Sequence, residues 1–192
     1  MDNKNFNLIL TGVGGQGIIT LLSLINESAF VQGLDVKSSE LHGLSQRGGS
    51  VEAHVSFGKK INSPMVSNGQ ADLILACEAL EGLRESAKAG KQTKLLINEY
   101  FLPFLGSPAK EEILQKLKES KKDYILVPAS AECIDKLQKE VVCTLWMLGY
   151  AVGKKIMPLK KESVVKAIEK LVPEKYLELN KKAFELGFNY NG

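Results

Sequence analysis

The sequence predicts an α/β domain with a doubly wound, mostly parallel sheet and a helical C-terminal end. Three observations carry that prediction. A strand-like run, residues 6–11, enters a glycine turn and leaves it as a segment with helical spacing. Residues 71–77 are almost wholly apolar, as a strand covered on both faces must be. Beyond Ala129 the spacing is helical to the end of the chain. At 192 residues this reads as a single domain, with residues 1–130 as the α/β core and 131–192 as a helical cap.

The elements follow in order. After the first strand, Ile18, Leu21, Leu22, Ile25 and Ala29 share one helical stripe, and Gly33 stands where a left-handed cap closes a helix. Residues 35–39 form a second short strand. Residues 40–50 are polar and carry three glycines, so they read as a loop. Val51, Ala53, Val55 and Phe57 alternate as a strand does. Ile61 is a candidate for the start of a short return strand, before Pro64 and the Asn68-Gly69 pair mark an irregular connection. The buried strand 71–77 leads to a helix (78–89), a strand (94–98), a helix (110–120) and a strand (124–128). The alternation of strand and helix is what makes a doubly wound sheet. In the cap, Val141, Val142, Leu145, Trp146, Leu148 and Val152 specify a buried helix, and 163–172 and 174–186 specify two more.

Composition excludes several classes. Hydrophobic residues make up 44% of the chain, enough for a real core and too many for disorder. The 25 lysines and arginines exceed the 22 acids by only three, and the excess is spread in pairs such as Lys59-Lys60 and Lys181-Lys182. That is the pattern of solvated faces, so no nucleic-acid partner is expected. Cys77, Cys133 and Cys143 lie far apart in apolar contexts, which fits free thiols in a reducing cytoplasm and no metal site. No apolar stretch approaches the roughly 18 residues of a membrane span.

Gly12-Val13-Gly14-Gly15-Gln16-Gly17 fits G-x-G-x-x-G, with a strand before it and a helix after it. This is a Rossmann-like turn. Two readings are open for Gly12, Gly14, Gly15, Gln16 and Gly17. The unpaired amides and positive dipole at the helix start favour an anion such as a pyrophosphate. Alternatively, the glycines only let helix and strand pack closely. The acid expected about 20 residues later is either Asp35 or Glu40.

The second motif is Glu40-Leu41-His42-Gly43-Leu44-Ser45-Gln46-Arg47-Gly48-Gly49-Ser50-Val51. Gly48-Gly49 permits backbone angles closed to other residues, and Arg47 offers a rigid fork of donors for carboxylate or phosphate. His42, Ser45, Gln46 and Ser50 add further polar groups. The plain alternative is a surface loop with Arg47 in an ordinary ion pair. His42 has the chemistry of a general base, but no nucleophile or carboxylate can be assigned to it, so no catalytic residue is expected.

Together with the GxGGQG turn, this loop resembles the gamma module of the 2-oxoacid:ferredoxin oxidoreductases, and within it the indolepyruvate beta-subunit branch. The resemblance is sharp over about residues 8–84. It implies an accessory subunit of an enzyme that oxidatively decarboxylates a 2-oxoacid, an aryl pyruvate in the branch resembled, to an acyl-CoA with ferredoxin as acceptor. That chemistry needs thiamine diphosphate with Mg and [4Fe-4S] clusters. This chain has no GDG…N pattern and no cysteine cluster, so the resemblance puts both on a large alpha subunit. Coenzyme A contact with the glycine turn is a further implication, and residues 42–50 are the expected face toward substrate or partner. Two other classes stay open: a stand-alone NAD- or flavin-linked oxidoreductase, and a nucleotide-binding scaffold.

Overall fold

The computed structural model describes residues 5–43 and 48–192, and only the backbone of His42. Six strands form one sheet: β1 (Phe6–Val13), β2 (Asp35–His42), β3 (Ser50–Gly58), β4 (Leu73–Ala76), β5 (Lys94–Asn98) and β6 (Asp123–Val127), in the order β2-β3-β1-β4-β5-β6. β1, β4, β5 and β6 pair in parallel, whereas β3 pairs antiparallel with both β1 and β2. Only β3 runs against the rest.

Among the described residues seven α-helices pack around the sheet: α1 (Ile18–Val31), α2 (Ala79–Glu85), α3 (Lys110–Glu119), α4 (Ala129–Leu137), α5 (Cys143–Gly153), α6 (Lys161–Leu171) and α7 (Glu174–Phe188). α1 begins on the turn and closes at Gly33, whose φ of 75° is the left-handed conformation expected there. Leu8 and Leu10 of β1 face a core shared with α1, α4, α5, α6 and α7. Ile9, Ile74, Leu95 and Ile97 face a smaller core with α2 and α3. α5 is buried along almost its whole length because α7 closes over it. Among the described residues, no helix is long and apolar enough to cross a membrane.

Two details differ from the sequence expectation. Glu40, Leu41 and His42 belong to β2, which pairs with β3 as far as His42 opposite Val51. They read as loop because an edge strand can expose polar side chains while its backbone stays paired. Ile61 begins no strand; it is buried, and its amide donates to Asp35 Oδ2 at 2.7 Å.

Candidate functional site

β1 and β4 are neighbours, but the helix after β1 lies on one face and the helix after β4 on the other. The carboxyl ends of these two strands therefore form the crevice where ligands of such sheets are usually held. The glycine turn stands there. Gly15 (φ 104°) and Gly17 (φ 84°) hold the left-handed angles that make the turn tight. A side chain at Gly12 would meet Gln16 Oε1 at 2.7 Å and Ile18 at 2.9 Å.

Gln16 closes the crevice from within. Its Oε1 accepts the Val13 amide at 2.8 Å and its Nε2 donates to the Cys77 carbonyl at 3.3 Å. One carboxamide thus joins the ends of β1 and β4, a task that needs an acceptor and a donor on one short terminus. Asn98 supports the same carbonyl at 3.2 Å and also bonds Ser130.

The two sequence motifs meet. The Gly14 amide donates to the Gly49 carbonyl at 2.8 Å, and the Gly48 amide donates to the Gly14 carbonyl at 3.3 Å. Gly48 takes φ 74°, in keeping with the glycine there. Beyond it, Ser50 Oγ donates to Glu81 Oε2 at 2.6 Å, and Glu81 also receives Arg84. Glu78 opens α2 by accepting the Glu81 amide at 2.8 Å, and burial pushes its carboxyl above the usual range. Ser45, Gln46, Arg47 and the His42 side chain, all named from the sequence, lie outside the described residues.

Neither candidate acid for a ribose is beside the turn. β3 separates β2 from β1, and Asp35 sits at the far end of β2, where it holds the Ile61 amide. In the dinucleotide-binding arrangement β2 adjoins β1. The intervening strand removes that geometry.

Next to the turn is a cleft of about 240 Å³ lined by Gly15, Gln16, Tyr100, Glu140, Val141 and Cys143. Burial raises the Tyr100 phenol above its ordinary value, and the negative charge of Glu140 adds to it. Burial likewise pushes the Cys143 thiol up to about 11 and Cys133 to about 12, so neither is a thiolate nucleophile near neutral pH. Glu140 and Tyr100 carried no signal in the sequence, because neither belongs to a motif and their meeting depends on the fold.

A separate polar cluster lies on the α2 face. His54 Nδ1 accepts the Val66 amide at 2.9 Å, which puts the ring proton on Nε2, facing Glu52 Oε1 at 2.5 Å. Lys88 reaches both Glu52 oxygens at 2.6 Å and Glu85 at 3.0 Å. With every member engaged and His54 buried, the cluster fastens the segment after β3 to the sheet. Among the described residues no group of three or more His, Cys, Asp or Glu side chains could hold a metal ion.

A glycine turn in a doubly wound sheet, closed by its own glutamine and by the tip of a β-hairpin, defines a Rossmann-like domain of a special kind. Residues 7–190 match the pyruvate ferredoxin/flavodoxin oxidoreductase family, and the chain belongs to it. It is 34% identical to the indolepyruvate oxidoreductase subunit IorB of Archaeoglobus fulgidus, over 95% of this chain and 94% of that one. The gamma subunit of a keto/oxoacid ferredoxin oxidoreductase from Geobacter sulfurreducens has the same fold (TM-score 0.71, 24% identity, 95% of this chain and 96% of that one). So does part of the 2-oxoglutarate:ferredoxin oxidoreductase of Magnetococcus marinus, whose structure holds 2-oxoglutarate, coenzyme A and succinyl-CoA (TM-score 0.74, 16% identity, 97% of this chain and 31% of that one).

Proposed function

We propose that this chain is the small, non-catalytic subunit of a ferredoxin-dependent 2-oxoacid oxidoreductase, acting on an aryl pyruvate such as indolepyruvate. The observation that supports this most is the end-to-end match to a relative that is itself named as an indolepyruvate oxidoreductase subunit. Oxidative decarboxylation needs a carbanion sink and an electron path. The residues here supply neither a thiamine signature nor a cysteine cluster, so thiamine diphosphate, Mg and the [4Fe-4S] clusters belong to a large partner subunit, with ferredoxin taking the electrons. The work of this chain is positional: the glycine turn grips Gly48 and Gly49, and we assign the sequence motif 42–50 to contact with the partner or its substrate. Arg47 is the charged group in that contact.

The first-turn amides of α1 favour an anion, which supports coenzyme A contact at Gly15 and Gly17. Glu140 and the small volume of the cleft oppose placing its diphosphate inside. We therefore assign coenzyme A contact to the outer side of the turn.

The test is reconstitution. The isolated chain is expected to reduce neither ferredoxin nor a viologen dye with any 2-oxoacid, and activity is expected to return with the large subunit, higher on indolepyruvate than on pyruvate or 2-oxoglutarate. Turnover by the chain alone would refute the reading. Arg47→Ala is expected to leave the isolated chain's melting unchanged and to weaken the complex by about 1–3 kcal/mol. Normal assembly and turnover with that variant would remove Arg47 from the interface.

A further inference from the structure

The cleft beside the glycine turn has a chemistry of its own. At about 240 Å³ it is smaller than the roughly 300–1,000 Å³ of ordinary cofactor pockets, and it suits one side chain better than a nucleotide. Glu140 is half-buried, and among the described residues its carboxylate has no hydrogen-bond or ion-pair partner. It is the first residue of the short 3-10 turn that runs into α5. Among the described residues no lysine or arginine lines the cleft. The full charge of Glu140 outweighs the roughly half-unit positive end of α1 across from it. Val141 stands at the lip with 64% of its surface exposed, an apolar step for an aliphatic stem. Tyr100 contributes an aromatic wall whose phenol lies within electrostatic reach of Glu140.

We propose that this cleft is a socket for an arginine side chain of the large partner subunit. A carboxylate, an aromatic surface and an apolar lip are the three features a guanidinium uses together: its fork meets the carboxylate, its plane stacks, and its stem covers the lip. A lysine ammonium is more strongly hydrated and uses only the first. Arginine is also enriched at interface centres, where a few anchors carry much of the affinity. The socket adjoins Gly15 and Gln16, so an arginine seated there is set beside the turn that holds Gly48 and Gly49. The partner named here rests on the subunit reading above; the chemistry of the socket does not.

Two measurements separate them. The isolated, isotope-labelled chain is titrated with n-butylguanidinium, n-butylammonium and inorganic diphosphate while the amide signals of Gly15, Gln16 and Val141 are followed. Guanidinium is expected to shift them saturably, more tightly than ammonium, and Glu140→Gln is expected to abolish the response. Shifts with diphosphate instead, or with none of the three, would overturn the proposal. In the complex, Glu140→Gln is expected to raise the dissociation constant for the large subunit at least tenfold and Glu140→Lys further, whereas Glu112→Gln, on an exposed helix face, changes nothing. Wild-type assembly with equal affinity for Glu140→Lys would sink the socket and leave the subunit reading standing. Failure of the wild-type chain to bind the large subunit would sink the subunit reading, and with it the partner arginine.

Discussion

On one face of the sheet, Leu8, Leu10, Val55, Phe57 and Leu75 join helices α1 and α5 in a largely apolar core. On the other, β3 presents Glu52, His54 and Ser56, and these are satisfied by Lys88, the Val66 amide and Asn7. The first face gains stability from area and shape, so it is sensitive to volume. The second gains from paired polar groups, so it is sensitive to the loss of a partner. The difference separates two kinds of fragility in one domain.

The largest effect is expected where two helices touch backbone to backbone. A Cβ at Gly187 would overlap the Trp146 carbonyl, and one at Gly149 would overlap that of Phe184. Gly187→Val should therefore separate α7 from α5 and cost at least about 3 kcal/mol in denaturant unfolding. A loss below about 1 kcal/mol would mean that the cap adjusts freely, contrary to the close contact described.

The polar face is probed by Lys88→Met. It should cost about 1–3 kcal/mol, less than a fully buried pair because the Lys88 side chain is 31% exposed. Burial by itself would raise the Glu52 pKa, but hydrogen bonds from Lys88 and His54 outweigh it and hold the carboxyl below the usual range. A carboxyl with a depressed folded pKa stabilises above its unfolded pKa and loses that contribution as pH falls through the folded one. Without Lys88, Glu52 loses a partner, and Glu85, already raised by burial, loses its cation. The gap between wild type and variant should be widest near neutral pH and narrow below about pH 4. A gap constant from pH 7 to 3 would show that packing, not charge, is what Lys88 supplies.

Asn98→Ala tests the crevice between the two faces. It strips donors from the Cys77 carbonyl and Ser130 and should cost about 1–3 kcal/mol. The smallest effect belongs to Glu112→Gln: its partner Lys116, one turn along α3, is exposed like Glu112 itself, so the unfolding midpoint should not move measurably. A clear shift there would mean that surface charge matters more than either face.

Much of this was legible in the sequence, and the reasons are local. The apolar run at 71–77 suited a covered strand, which spans Leu73–Ala76, and the spacing of Leu145, Trp146, Leu148 and Val152 suited a buried helix. The glycine turn announced its position because strand, glycines and helix are consecutive. What was hidden depends on distance along the chain. The reversal of β3 has no mark in its alternation, since a strand looks alike in either direction. Glu40 and His42, polar and next to a glycine, concealed the end of an edge strand. Glu52 and Lys88 are 36 positions apart, and neither stands in a motif. The pairing of Gly14 with Gly48 and Gly49 joins two motifs that the sequence offers separately, and Glu140 becomes notable only once α5 brings it to the turn.

The chain has one tryptophan, and it is fully buried. Tyr150 stacks on it at 5.6 Å and Tyr190 meets its edge at 4.9 Å, while its indole nitrogen has no hydrogen-bond partner among the described residues. The fold thereby carries its own optical probe. Trp146 fluorescence should be blue-shifted, fed by energy transfer from both tyrosines, and tuned to one event: the seating of the last turn of α7. A spectrum that reddens before the far-ultraviolet signal of the sheet is lost would reveal the cap lifting off while the rest of the domain is still intact.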